Sequence, residues 1–167
     1  MPTPTYTPLA TITLTGSDGS ITFGSIPNTF RDLVIVCNFQ NSSTSSATRL
    51  QVNGDTGANY NGVWITGTGS GSGNSGSEAN QTSARLFGAS VGPANTFTNI
   101  GILHFADYSA SDKHKTVLTR YGAAGTETQF TASRWANNTA INSITLFDIL
   151  GQTYQTGSTF SLYGIAS

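Results

Sequence analysis

Apolar residues alternate with threonine and serine through most of the chain, the pattern of β-strands with one buried side and one solvent-facing side. This alternation predicts strands over residues 10–15, 20–23, 48–52, 59–66, 82–87, 98–107, 115–121, 128–135, 141–149 and 159–165. Clusters of Gly, Ser and Asn separate these segments, and no stretch shows a convincing apolar stripe at the helical period of 3.6 residues. The sequence therefore predicts an all-β protein.

One further segment lacks the alternation and forms the expected centre of the fold. Residues 33–37 read Leu-Val-Ile-Val-Cys without a polar break, which predicts a short strand covered on both faces. Cys37 is the one cysteine in the chain, so it has no intramolecular disulfide partner. We expect it to be a small buried hydrophobe rather than a nucleophile.

Many short strands without crossover helices do not make a parallel sheet, so two antiparallel sheets packed face to face are expected. The prediction is a jelly-roll-like β-sandwich. At 167 residues the chain has the size of a single domain, which we place at residues 9–167. Asp18-Gly19 between the first two strands has the composition of a hairpin turn.

Residues 1–8 are predicted to be an extended N-terminal arm, because prolines alternate there with Thr and Tyr. The arm would contact a partner, and a frayed terminus is the alternative interpretation. Its candidate partner-binding residues are Pro2, Pro4, Tyr6 and Pro8.

Residues 67–77 contain only Gly, Ser, Thr and Asn, so none of their side chains is suited to a core. This composition predicts a mobile surface loop. The apolar positions of residues 78–86 are too sparse for a helical stripe.

Charge is scarce, which argues against several partner classes. Charged residues make up 9% of the chain and the net charge is −1, so neither nucleic acid nor a membrane surface is an expected partner. No segment approaches the roughly 20 apolar residues of a membrane span, and the N-terminus lacks the pattern of a signal peptide. Nine Phe, six Tyr and two Trp supply the material for a core.

Candidate catalytic groups are few. We expect His104 to face the core together with Ile100 and Ile102, and His114 to lie in a solvated charged turn. No Gly-x-Ser-x-Gly motif and no zinc-ligand spacing occurs. The sequence predicts no enzyme and no cofactor, and a polysaccharide hydrolase would need two carboxylates close together.

The segment 53–59 places side-chain oxygens at alternate positions through Asn53, Asp55 and Asn59. Calcium accepts such ligands, but a tight site also needs several carboxylates and a distal Glu. We therefore interpret the segment as an Asx-rich turn between strands and predict no metal.

Tyr60 and Trp64 are candidate glycan-binding residues, since exposed aromatic rings near a loop stack on sugars. The alternative is that both rings belong to the core, where most aromatic side chains of an all-β protein are found.

Five segments carry a resemblance to a known group of proteins. They are IPNTFRDLVI (26–35), LQVNGDTGANY (50–60), KHKT (113–116), Trp135 and GSTFSLYGI (157–165). Together they resemble small β-rich virion structural proteins of tailed bacteriophages, a capsid decoration and tail-fibre-associated group. The resemblance implies a building block of the virion, assembled in the cytoplasm of a host bacterium, and does not separate head from tail.

The resemblance and the neutral surface together favour a capsid decoration or cement protein on the outside of the head. Its expected partners are copies of itself, in a symmetric oligomer such as a trimer, and the major capsid protein or another virion protein. The alternative is a tail-fibre or baseplate module that recognises host-surface glycans through Tyr60, Trp64 and the loop 67–77.

Overall fold

The computed structural model describes residues 5–88, 99–123 and 127–166, which form twelve β-strands. Eight of them make one sheet, in the order β1 (Tyr6–Thr13), β12 (Thr159–Ile165), β3 (Asp32–Phe39), β8 (Asn99–Ala106), β9 (Lys115–Ala123), β10 (Glu127–Trp135), β5 (Tyr60–Thr68) and β6 (Gly73–Gln81). Four make a second sheet, in the order β2 (Ser20–Phe23), β11 (Ile144–Asp148), β4 (Thr48–Val52) and β7 (Ala84–Phe87). Every neighbouring pair is antiparallel, which confirms the predicted all-β antiparallel sandwich.

The core lies between the two sheets and is centred on β3. Leu33, Ile35, Cys37 and Phe39 point inward and are at most 1% exposed. The prediction that Cys37 is buried is confirmed. Its burial raises the pKa of the thiol. Each such side chain contributes about 1.5–3 kcal/mol through the apolar surface it removes from water.

Aromatic rings fill one end of this core. Phe39 packs on Phe87 with ring centroids 5.4 Å apart and on Phe160 at 6.0 Å, while Tyr154 meets it edge-on at 5.6 Å. Tyr121 stacks on Phe87 at 4.8 Å and donates a 3.1 Å hydrogen bond to Asn99. The rings come from both sheets and hold them together.

The division into eight and four strands differs from the double sheet of a jelly roll, so that detail of the prediction is not confirmed. The predicted hairpin through Asp18-Gly19 is wrong, because β1 pairs with β12 in the large sheet and β2 pairs with β11 in the small one. A tight hairpin turn needs positive φ at its central residues, and neither Asp18 nor Gly19 has it. The turn instead carries the chain from one sheet to the other.

The predicted loop 67–77 is shorter than expected. Gly67 and Thr68 end β5, and β6 begins at Gly73, so only 69–72 form the connection. β6 lies at the edge of the large sheet and contains no buried residue, so its pairing with β5 rests on backbone hydrogen bonds and needs no apolar side chain.

The described part of the predicted arm belongs to the sandwich. Tyr6, Thr7 and Pro8 lie in β1 opposite Ile165, Gly164 and Tyr163 of β12. The boundary predicted at residue 9 therefore falls inside an edge strand. Pro2 and Pro4 lie outside the described residues.

Candidate functional site

The large sheet has a second face, directed away from the core, that the small sheet does not cover. Two rows of side chains cross this outer face in direct register through β5, β10, β9, β8 and β3. The first row is Val63, Ala132, Leu118, His104 and Val34. The second row is Ile65, Phe130, Arg120, Ile102 and Val36.

The outer face is apolar and accessible. Val63, Ile65, Leu118, Phe130 and Ile100 are each between 50% and 59% exposed. All of them except Ile100 line a groove of about 1010 Å³ that reaches from β5 across to β1. Exposed apolar side chains that form one contiguous patch indicate an interaction site, whereas scattered ones do not.

The outer face also carries two arginines that lack a partner. Arg120 stands opposite Phe130 and Ile102, and Arg134 stands opposite Thr116. Both are exposed, and within 5–88, 99–123 and 127–166 neither forms an ion pair or a side-chain hydrogen bond. Their charges are therefore available to a ligand or partner.

Asp32 is the one acidic residue of the described strands whose side chain faces this side, and it is fully engaged. Its carboxylate accepts 3.0 and 2.8 Å hydrogen bonds from Arg31 and a 3.0 Å bond from the backbone N–H of Asp107. Burial raises the pKa of Asp32, but these hydrogen bonds outweigh the burial, so the pKa lies below its usual range. Asp32 thus neutralises Arg31 and leaves Arg120 and Arg134 uncompensated.

His104 does not face the core, contrary to expectation. Its side chain is 41% exposed and its Nε2 lies 3.4 Å from Asp32, on the same face as Ile100 and Ile102. The apolar residues of β8 occur on both sides of the strand. Ile100 and Ile102 therefore do not show which side faces the core, and His104 lies with them on the outer side. His114 lies in the exposed turn before β9, as expected.

The structure does not bring Tyr60 and Trp64 together as a sugar-stacking surface. Tyr60 is 0% exposed, and its hydroxyl accepts from the backbone N–H of Val52 and donates to the carbonyl of Asp55. Trp64 is half-buried, with the guanidinium of Arg85 3.9 Å from its ring centroid. The glycan-binding alternative would therefore depend on Trp64 without Tyr60.

The segment 53–59 forms the expected Asx-rich turn. The Asp55 carboxylate accepts hydrogen bonds from the N–H of Gly57 (2.7 Å), from Asn59 (2.8 Å) and from the indole of Trp135 (2.6 Å). Burial raises the pKa of Asp55, but these three bonds prevail and lower it. No group of three or more His, Cys, Asp or Glu side chains suited to a metal ion occurs in the described part of the chain.

Sequence reasoning missed the outer face, although a signal for it exists. Val63 and Ile65 flank Trp64, and Leu118 follows Val117, so apolar residues occupy both sides of the same strand. In a sandwich with one wet side this pattern is unexpected. It indicates strands that carry apolar side chains on both the inner and the outer side.

Comparison with known proteins gives no further guide to the chain. No family model matches it, and no curated protein is significantly similar to it. Among the described residues, no helix is long and apolar enough to cross a membrane. The described part of the chain is defined by its antiparallel β-sandwich and by an apolar outer face on which Arg120 and Arg134 have no partner.

Proposed function

We propose that the chain is a structural protein of a phage particle, a capsid decoration protein that binds the outside of the head and stabilises it. The observation that carries the proposal is the uncovered apolar face of an eight-stranded sheet. Such a face gains free energy, about 25 cal/mol per Å², when a partner surface removes it from water. A sandwich with one such face is suited to bind the surface of a larger assembly.

The edges of the large sheet support association with further copies. Within the described residues, β1 and β6 are the edge strands of the large sheet, and their outward N–H and C=O groups have no strand partner. Neither strand carries the lysines that often protect an edge, and only β1 has other protection, from Pro8 and the bulge that follows it. Tyr6 on β1 is 56% exposed and Pro8 lies beside it in the same strand, so both remain candidate contacts. A symmetric oligomer, such as a trimer, would use these edges and leave the outer face for the shell.

The test adds the purified chain to heads that lack it and measures binding by co-sedimentation and the loss of the packaged genome on heating. We expect binding and a higher temperature of genome release, and electron microscopy should place the chain on the head. Phe130→Asp should abolish binding because it puts a carboxylate at the centre of the outer face. Ile149→Asp is the matched control, since Ile149 is also 50% exposed but lies in the turn after β11.

The proposal fails if the chain does not bind heads, or if Phe130→Asp and Ile149→Asp bind equally well. Density for the chain on the tail, together with glycan binding that Trp64→Ala removes, would support the receptor-binding alternative instead.

A further inference from the structure

We infer that the outer face recognises a protein segment that combines apolar side chains with carboxylates, and that Arg120 and Arg134 pair with those carboxylates. This inference rests on the proposed function for the identity of the partner as a shell protein. The charges and apolar side chains of the outer face indicate the chemistry of the partner.

The outer face differs in charge from the molecule as a whole. The chain has a net charge of −1, yet the outer face carries the unpaired cations Arg120 and Arg134. Asp32 is bound to Arg31, so their charges cancel. A partner with carboxylates would therefore meet a locally positive surface, which assists docking and excludes basic partners.

Another copy of the same face does not match the charges of the outer face. Two copies related by a two-fold axis present the same side chains to each other. Among the described strands, Arg120 and Arg134 would then meet one carboxylate, that of Asp32, whose oxygens already accept bonds from Arg31 and from the backbone N–H of Asp107. The face is not complementary to itself in charge, so a different protein is the better occupant.

Charged groups flank apolar ones in the middle of the outer face. Arg134 and Arg120 lie on either side of the row that contains Leu118 and Ala132, because Arg134 pairs with Thr116 and Arg120 pairs with Phe130. The matching segment has carboxylates on both sides of an apolar side chain. Arg120 lines the groove of about 1010 Å³, and Arg134 lines a neighbouring depression of about 630 Å³ that it shares with Leu118 and Ala132. The apolar side chain of the partner packs on Leu118 and Ala132, and the two arginines bind the acids on either side of it.

The first arm of the test needs no particle. A random dodecapeptide library is selected against the wild-type protein and, in parallel, against the double variant Arg120→Glu/Arg134→Glu. We expect wild-type selections to enrich peptides with both Asp or Glu and large apolar residues, and the double variant to bind these peptides at least about tenfold more weakly. Lys113→Glu is the control for the change in charge, since Lys113 is exposed in the turn between β8 and β9.

The second arm repeats the head-binding assay at increasing salt. Wild-type binding should weaken as NaCl is raised, whereas the small residual binding of the double variant should strengthen, because its glutamates repel the carboxylates of the partner and salt screens that repulsion. Circular dichroism and thermal melting confirm that each variant is folded.

The outcomes separate the two proposals. If the double variant binds heads as wild type does, or selections yield no enrichment of acidic residues, this inference is overturned while the decoration role stands. If acidic apolar peptides are selected but wild type does not bind heads, the decoration role fails and the chemistry of the face stands. Self-association in sedimentation that Phe130→Asp abolishes would overturn the inference in favour of a second copy.

Discussion

Trp135 donates its indole N–H to the carboxylate of Asp55 over 2.6 Å and so ties the end of β10, in the large sheet, to the turn after β4, in the small one. The same carboxylate holds Gly57 and Asn59. One acidic side chain therefore fixes both the shape of the turn and its position on the other sheet.

Asp55→Asn should lower the free energy of unfolding by about 1–3 kcal/mol, because an amide has one acceptor oxygen where the carboxylate has two. Urea unfolding at pH 7 measures the change. Asp112→Asn is the control, since Asp112 is 77% exposed and should change stability by less than about 0.5 kcal/mol. Because folding lowers the pKa of Asp55, its contribution is present above the unfolded pKa and is lost as the pH falls through the folded one. Equal acid sensitivity of wild type and Asp55→Asn would contradict this role.

Gly164 on β12 lies directly against the ring of Phe30, where a β-carbon would come within 2.4 Å of the ring. Gly164→Ala should therefore cost about 1–3 kcal/mol of stability through overpacking. Gly122→Ala is the matched control, because Gly122 is also in a strand and a β-carbon there meets nothing within 4 Å. Phe30→Leu should lessen the penalty of Gly164→Ala, and a double-mutant cycle in urea tests this. Additive effects would show that Phe30 is not the obstacle.

Lys115 is 1% exposed, and its ammonium donates to the carbonyls of Ala110 (2.6 Å), Lys113 (2.8 Å) and Asn138 (3.2 Å). It joins the turn before β9 to the segment after β10. Lys115→Met keeps the apolar stem but leaves three carbonyls without their donor, so we expect a loss of about 2–4 kcal/mol in urea unfolding. Lys113→Met should be nearly neutral, since Lys113 is 50% exposed. Equal effects of the two substitutions would contradict a structural role for Lys115.

Glu127 is 6% exposed, and burial raises its pKa to about 7 against the opposing charge of Arg85. A raised folded-state pKa stabilises the protein below the unfolded value of about 4.5, and this stability is lost as the pH rises through about 7. The free energy of unfolding should therefore fall between pH 5 and pH 8, on the order of 1 kcal/mol. Glu127→Gln should flatten that slope, measured by urea unfolding at several pH values. An unchanged slope in the variant would assign the effect to another group.

The strands that contribute to the core were predictable, because their buried positions are apolar and recur at every second residue. Strands such as β9 and β10 alternate strictly between buried and exposed positions, and all eleven strands predicted from the sequence are present. β6 was missed because an edge strand with no buried residue needs no such pattern. Long-range pairing was also beyond the pattern, as the partnership of β1 with β12 joins opposite ends of the chain.

The candidate site was harder to predict, because a side chain shows its face only once the register is known. His104 shares its parity with Ile100 and Ile102, and that parity proved to be the outer one. Tyr60 and Trp64 were predicted to form one glycan-binding surface. They lie four positions apart on β5, and that strand places Tyr60 fully in the core. Arg120 and Arg134 could not be recognised as unpaired from the sequence, because only the folded structure shows that no acidic residue of the described strands pairs with them.

Cys37 sits at 0% exposure in the middle of the central strand, beyond the reach of an alkylating reagent while the two sheets stay together. Alkylation of the Cys37 thiol, followed over time by mass spectrometry, would measure the rate at which the sandwich opens without an introduced label. Any partner that binds the closed sandwich would slow this labelling in proportion to how much it lowers the frequency of opening.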